Sequence, residues 1–346
     1  MTSRSGSRMD YSKAWGCLAG LALGDALGMP TEFLTPEQIV AEYGSVETLV
    51  PAPRWHPHAV FPPGRVTDDT EQALALAQVY LREGCMNADA AARAILDWAA
   101  AQIGHLERYL GPSTRRALDL LSTGTSPRES GHGGKTNGAA MRIAPVGIVN
   151  GGDLDRALQD TVEASLPTHG TTLAISGAAA VAFAIASAMD RAATLDSVLE
   201  AAMEGAIRGR QHGNWTWTPP IEKRIELALR IACHAENEAK ALQSLYEIIG
   251  VDLTVPESIP TSFGLVALAE GNPMQAIRYA ANLGGDTDTI GGIAGAICGA
   301  LQGIQSMDRT MLAKVEEVNS LNLEIVALQL AAVGKIRRQQ GKVRGR

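Results

Sequence analysis

Apolar residues recur along most of the chain at the three- and four-residue spacing that places them on one face of a helix. This spacing predicts helices at residues 14–28, 69–83, 88–103, 112–122, 139–149, 153–165, 170–189, 194–209, 220–235, 238–249, 259–270, 273–281, 288–304, 308–318 and 321–333. Residues 46–50 are the one short candidate strand, and the proline-rich residues 30–66 are predicted to form a long irregular connection. The pattern therefore predicts an all-α fold.

The domain organisation follows from the even spread of these helices. No linker rich in Gly, Ser or Pro divides the chain, and the sequence has no repeat of fixed period. We expect a disordered N-terminus at residues 1–12, a single all-α domain at residues 13–334, and a basic, solvated tail at residues 335–346.

Composition narrows the classes of function. The net charge of −7, without a basic stripe, argues against nucleic-acid binding. Residues 173–189 carry no charge, but they are mostly Ala, Gly and Ser and are short for a membrane span, so we interpret them as a buried helix. Four scattered cysteines without a CxxC pair favour a reducing, cytoplasmic setting. We expect a monomer without a nucleic-acid or membrane partner.

Two acidic blocks, separated by more than half of the chain, carry the candidate chemistry. The first is Thr67-Asp68-Asp69-Thr70, and the second is Asp286-Thr287-Asp288-Thr289, which follows Gly284-Gly285. Carboxylate and hydroxyl oxygens are ligands suited to Mg²⁺ or Mn²⁺. If the fold brings the blocks together, four carboxylates meet, and cations are needed to neutralise them.

A plainer interpretation of each block is a helix cap, because Thr and Asp cap helices well and acids in a first turn suit the helix dipole. Two such acidic caps in one chain favour a shared cation site over independent caps. The helix after the second block contains four glycines at residues 291–300, each costing roughly 1 kcal/mol relative to Ala. This cost predicts close approach of a neighbouring helix or of the metal site.

Six segments, taken in order, resemble the ADP-ribosylglycohydrolase family. They are residues 20–28 (GLALGDALG), Glu32, residues 67–70, residues 137–142 (NGAAMR), residues 168–169 and residues 284–289. The resemblance runs from about residue 14 to residue 304, and its specificity comes from the whole series rather than from any one segment. It also argues against interpreting the apolar start as a signal peptide.

The resemblance implies a compact single-domain orthogonal helix bundle with two Mg²⁺ or Mn²⁺ ions at the base of a cleft. The implied metal ligands are Thr67, Asp68, Asp69, Asp286, Asp288 and Thr289. Catalytic roles fall to Glu32, Asp69 and Asp288, and substrate contacts to Gly111, Asn137, Gly138 and His169.

The implied reaction is hydrolysis of a glycosidic bond at the anomeric carbon of a ribose, which would release ADP-ribose from a modified protein or small molecule. Two alternatives stay open. One is a hydrolase of small nucleosides or other ribosylated metabolites, and the other is a metal-loaded binding or structural protein without turnover. Some arginine-specific members have an aspartate where this chain offers Tyr109, so the leaving group is left open.

Several other polar and aromatic residues receive simpler interpretations. Asp25 is expected to orient backbone near the cleft. His56 and His58 have no third ligand at a suitable spacing and are interpreted as loop residues. Trp215 and Trp217 either anchor a loop as partly buried side chains or offer a stacking surface.

Overall fold

The structure is a computed structural model that describes residues 3–102 and 110–344, with the side chains of residues 11–102 and 110–340. Within these residues it contains no β-strand, which confirms the predicted all-α class. The helices are α1 Ser3–Gly28, α2 Pro36–Tyr43, α3 Asp68–Glu83, α4 Ala88–Ala101, α5 Pro112–Ser122, α6 Gly138–Met141, α7 Ala144–Val149, α8 Leu154–His169, α9 Thr172–Ala188, α10 Leu195–Gly209, α11 Ile221–His234, α12 Glu238–Ser244, α13 Val255–Leu268, α14 Pro273–Leu283, α15 Thr287–Gln302, α16 Arg309–Asn319 and α17 Leu323–Arg344. Short 3₁₀ turns occupy Met29–Thr31 and Ile304–Ser306, and a π turn, Leu245–Ile249, follows α12.

Side-chain caps begin many of these helices where the sequence predicts a start. Thr67 accepts a hydrogen bond from the backbone N–H of Asp69 at the start of α3, and Thr171 accepts one from Ala174 at the start of α9. Helix α9 is buried along almost its whole length, as predicted for this uncharged segment. None of the described helices is both long enough and apolar enough to span a membrane.

Three predicted segments differ from the structure. The connection at 30–66 contains α2, which opens with a capping box between Thr35 and Gln38. The predicted helix at 139–149 is divided into α6 and α7, because Pro145 lacks an N–H and disfavours helical backbone before it. The candidate strand at 46–50 is not a strand, since the backbone of Val46 bonds the side chain of Asn282 rather than another strand.

Both ends of the predicted domain lie within helices. Helix α1 begins at Ser3, inside the segment for which we expect disorder, and α17 continues through the predicted boundary at residue 334. Arg337 anchors α17, because its guanidinium lies 3.0 Å from Asp160 and over the Tyr80 ring. The basic segment therefore belongs, at least to residue 337, to the packed structure.

Helices α1 and α15 pack backbone against backbone through facing glycines. A Cβ atom on Gly20 would lie 2.0 Å from the carbonyl oxygen of Gly295, and one on Gly24 would lie 2.1 Å from that of Gly291. Close helix approach thus explains the glycine-rich second helix, as the sequence predicts. At the end of α1, the Gly28 carbonyl accepts a hydrogen bond from the Thr287 hydroxyl at 2.8 Å, so the second acidic block lies beside this end.

Candidate metal centre and active site

The structure brings the two acidic blocks together. Thr67 precedes the first turn of α3, and Asp288 lies in the first turn of α15. Thr67 Oγ1 lies 3.5 Å from Asp288 Oδ2 and 3.3 Å from Asp69 Oδ2. The carboxylates of both blocks are buried. The first turns of two helices that are distant in sequence therefore form one acidic cluster.

Glu32 joins this cluster from the turn that follows α1. Carboxylate oxygens of Glu32, Asp286 and Asp288 all lie within 4.8 Å of one another. Phe33 has a positive φ of 65°, and its N–H donates to the Gly285 carbonyl at 2.8 Å. This contact ties the Glu32 segment to the glycine pair before the second block, where both glycines also have positive φ.

Two histidines hold Glu32, which corrects their interpretation as loop residues. His58 Nε2 lies 2.6 Å from Glu32 Oε2, and His56 Nε2 lies 2.6 Å from the main-chain oxygen of Glu32. Both rings are buried. Their partners lie more than twenty residues away in sequence, so no local spacing pattern could identify them.

Asp25 organises the start of α3, as expected. Its carboxylate accepts hydrogen bonds from the backbone N–H groups of Thr67, at 2.9 Å, and of Thr70, at 3.1 Å. It also accepts one from the Thr70 hydroxyl at 2.6 Å. Asp25 thus fixes the backbone that carries Asp68 and Asp69.

A cavity of about 160 Å³ opens onto the acidic cluster. The predicted substrate-contact residues Gly111, Asn137 and Gly138 line it. Asn137 also donates to Asp286 Oδ2 at 2.5 Å and to Ser258 Oγ at 3.0 Å, so its amide holds a member of the cluster.

His169 lies behind the cavity wall rather than in it. The ring is fully buried, and a Cβ atom on Gly138 would lie 2.6 Å from His169 Cε1. Its Nε2 contacts the hydroxyl oxygen of Thr136, which does line the cavity. The geometry therefore gives His169 an indirect route to a ligand, through Thr136, instead of the direct contact expected from the sequence.

Burial makes the cluster electrostatically unfavourable without added positive charge. Burial, followed by the Asp286 charge, raises the pKa of Asp288 to about 8, and burial raises the pKa of Asp286 to about 6. Burial, and next the charge of Asp288, raises the pKa values of Glu32, Asp68 and Asp69 well above their usual range.

The donor set suits a hard divalent cation. It consists of carboxylate and hydroxyl oxygens, the ligands that Mg²⁺ and Mn²⁺ prefer. Asp69 Oδ1 is buried and has no hydrogen-bond partner among the described residues. An unsatisfied buried carboxylate oxygen is costly unless a positive group binds it.

Comparison with known proteins identifies the family. The family model described as ADP-ribosylglycohydrolase matches residues 7–340. The chain belongs to the ADP-ribosylglycohydrolase family. It is 37% identical over 338 residues to the uncharacterized protein YegU of Escherichia coli, an alignment that covers 97% of this chain and all of YegU. It is 26% identical to ADP-ribosylhydrolase ARH3 of Bos taurus, with 88% of each chain covered.

A solved structure shares the fold. The ADP-ribosylglycohydrolase-related protein complex superposes with a TM-score of 0.71 at 25% identity, over 94% of this chain and 99% of that one. The ADP-ribosylglycohydrolase fold and the hydrolase class predicted from the sequence are thereby confirmed. The family hydrolyses glycosidic linkages of ADP-ribose, and its members depend on metal ions.

Two aromatic features of the sequence lie away from the described cluster. Trp215 is 65% exposed and Trp217 is 84% exposed, with ring centroids 4.9 Å apart. The interpretation of these residues as partly buried anchors is therefore wrong, whereas the stacking surface stays a hypothesis. Tyr109 lies outside the described residues.

Proposed function

We propose that this chain is a Mg²⁺-dependent ADP-ribosylglycohydrolase that holds two divalent cations, Mg²⁺ or Mn²⁺, between its acidic blocks. The observation that carries the proposal is the meeting of buried carboxylates from three distant segments beside one cavity. The proposed ligands are Thr67, Asp68, Asp69, Asp286, Asp288 and Thr289.

Charge and ligand chemistry support this assignment. When bound, divalent cations supply positive charge that offsets the carboxylates and favours the deprotonated form of nearby water or hydroxyl oxygens. The unpartnered Asp69 Oδ1 and the raised pKa values of the cluster both indicate a position for such charge. Asp25 and Asn137 would hold the ligand-bearing segments in place.

In the proposed reaction, a water oxygen bonds to the anomeric carbon of a ribose as the glycosidic bond breaks, and the leaving group takes up a proton. Glu32 is our candidate for proton transfer, because it lines the cavity and its Oε2 is held by His58. Asp69 and Asp288 are proposed to orient the reacting groups, since both also line the cavity.

The size of the cavity bears on the substrate. Pockets that enclose drug-sized ligands measure roughly 300–1,000 Å³, whereas this cavity measures about 160 Å³. A ribosyl group fits this volume, and the rest of a substrate would extend outwards. We therefore propose an ADP-ribosylated protein or small molecule as substrate. The exposed free cysteines Cys85 and Cys233 support a reducing, cytoplasmic setting.

The direct test is incubation of the protein and Mg²⁺ with a panel of ADP-ribosylated amino acids and of nucleosides. Free ADP-ribose or ribose is then detected by chromatography and mass spectrometry. Asp288→Asn should abolish release, because it removes a cluster carboxylate at constant shape. Asp89→Asn is the matched control, since Asp89 also lies in the first turn of a helix but is exposed.

Each result separates the candidate functions. Release of ADP-ribose that requires Mg²⁺ and Asp288 supports the proposal. Release of ribose from nucleosides alone would indicate a small-nucleoside hydrolase instead. Binding of ADP-ribose without release from any member of the panel would indicate a binding protein without turnover.

A further inference from the structure

Arg142 is a fully buried arginine whose hydrogen bonds go to neutral side chains. Its guanidinium donates to Gln72 Oε1 at 2.7 Å and to the Thr168 hydroxyl oxygen. Burying a charged group without a directly paired carboxylate is unfavourable, so a position of this kind calls for a reason. The nearest influence of opposite sign is Asp68, whose charge raises the pKa of Arg142 against the lowering caused by burial.

The first branch of contacts leads from Arg142 to the metal centre. A guanidinium can only donate, so the oxygen of the Gln72 amide must face it. The amide nitrogen of Gln72 then faces Asp68 and donates to its Oδ2 at 2.8 Å. Arg142 therefore fixes which end of the Gln72 amide reaches the carboxylate.

The second branch leads from Arg142 to a buried histidine. Thr168 Oγ1 accepts from Arg142 and lies 2.7 Å from His169 Nδ1, the remaining contact that the structure gives this hydroxyl. If Nδ1 carried a proton, the buried Thr168 hydroxyl proton would have no acceptor among the described residues. His169 Nδ1 therefore accepts from Thr168, and the ring proton lies on Nε2.

The ring proton determines the direction of the last contact in this branch. Burial, and next the charge of Arg142, hold the pKa of His169 well below its usual range, so the ring is neutral. His169 Nε2 donates to Thr136 Oγ1 at 2.9 Å. Since that oxygen accepts, its own proton is available to an acceptor in the cavity that Thr136 lines together with Asp68 and Asp288.

We propose that Arg142 is a positioning residue that, through Thr168 and His169, turns the Thr136 hydroxyl into a hydrogen-bond donor for an acceptor oxygen of the ADP-ribosyl group. The identity of the ligand rests on the proposed function, whereas the direction of the hydrogen bonds does not. The same guanidinium orients Gln72 towards the metal centre, so one buried charge orders both sides of the cavity.

The tautomer of His169 tests the direction of the bonds without any ligand. Long-range proton–nitrogen spectra of the ¹⁵N-histidine-labelled protein distinguish Nε2–H from Nδ1–H rings, and His169→Gln assigns the signal. We expect His169 to be neutral with its proton on Nε2. A proton on Nδ1, or on both nitrogens, at neutral pH would overturn the inference.

Variants of the relay test whether Thr168 and Arg142 set this tautomer. Thr168→Val should shift the His169 signal towards the Nδ1–H form, because Nδ1 loses its donor. Thr161→Val is the matched control, since Thr161 is buried on the same helix but bonds the Ala157 carbonyl. A folded Arg142→Lys protein should change the signal as Thr168→Val does. If the Thr168→Val signal matches that of the wild type, the relay is wrong.

Titration with ADP-ribose in the presence of Mg²⁺ tests the role of Thr136. Thr136→Val should raise the Kd about three- to tenfold, the effect of losing one hydrogen bond, whereas Thr136→Ser should stay within about twofold. Thr168→Val should have part of the same effect, and the double variant should lose less than the product of the two. Independent effects, or unchanged affinity in Thr136→Val, would overturn the proposal. If the wild type does not bind ADP-ribose, the proposed function fails, and the tautomer still decides the relay.

Discussion

Raising the pH should destabilise the metal-free protein, and Mg²⁺ should reverse that loss. The reason lies in the buried carboxylates, whose pKa values are raised in the folded state. A carboxyl group with a folded pKa above its unfolded value binds more protons when folded. Its contribution to the free energy of unfolding is therefore retained at low pH and is lost as the pH rises through the folded pKa.

The expected size of this effect follows from Asp288 and Asp286. Moving the pKa of Asp288 from 3.8 to about 8 corresponds to about 5–6 kcal/mol, at about 1.36 kcal/mol for each pH unit. This loss develops between about pH 4 and pH 8. Asp286, with its pKa raised to about 6, adds to it over the lower half of that range. Because protons and cations compete for the same oxygens, stabilisation by Mg²⁺ should grow as the pH rises.

Thermal unfolding with EDTA or Mg²⁺, at several pH values, measures both effects. Mg²⁺ at about a hundredfold excess over its Kd stabilises the folded state by about 2.7 kcal/mol. With an unfolding entropy of about 2.1 cal/mol/K per residue, a chain of 346 residues gains roughly 4 °C in Tm. Asp288→Asn should stabilise the metal-free protein at about pH 8 and reduce the gain from Mg²⁺. The exposed Asp89→Asn control should change neither. A Tm that is independent of Mg²⁺, or a metal-free protein that gains stability from pH 5 to pH 8, would refute this reasoning.

Three substitutions test other parts of the structure. Glu32→Gln should lower turnover by about 10²–10⁴-fold if Glu32 transfers protons; partial recovery in excess Mg²⁺ would instead indicate a metal ligand, and a wild-type rate would contradict both roles. His58→Leu removes a side chain that holds Glu32, so kcat should fall by about 10–100-fold with little change in KM, and an unchanged kcat would exclude this positioning role. Gly24→Ala should lower the free energy of unfolding in urea by about 1–3 kcal/mol, because its Cβ would lie 2.1 Å from the Gly291 carbonyl oxygen. The neighbouring Gly292→Ala control first meets a flexible leucine atom at 3.1 Å and should be neutral or stabilising by up to about 1 kcal/mol, so equal losses in the two variants would contradict the role of close packing.

Local sequence signals predicted most helices because those helices carry their own instructions. Helix α3 begins at its Thr67 cap and ends at Gly84, which has a positive φ of 71°, as a helix stop signal predicts. Helix α2 was missed because it is short and its apolar period is weak, although its capping box between Thr35 and Gln38 was visible in the sequence. A search that gave caps the same weight as periodicity would have found it.

The contacts around Glu32 could not be predicted from local pattern. His56 and His58 lie in a proline-rich segment without helical or strand period, and their bonds to Glu32 cross more than twenty residues. The same limit applies to Arg142, whose partners Gln72 and Thr168 come from two other helices. In each case the residue types are ordinary, and only tertiary packing gives them a common purpose.

The meeting of the two acidic blocks was, in contrast, partly encoded in the glycines. Residues 16, 20, 24 and 28 of α1 and residues 291, 295 and 299 of α15 are glycines spaced four apart, so each helix presents one ridge without side chains. Two such ridges can pack with their backbones in contact, and this packing fixes the position of one helix along the other. The end of α1 thereby lies against the start of α15, where the Gly28 carbonyl accepts from Thr287. Glu32 follows four residues later, and Asp288 follows Thr287, so the register of the glycine contact sets the geometry of the acidic cluster. A cation site that needs oxygens from distant segments within a few ångströms is better served by rigid backbone contact than by flexible side chains.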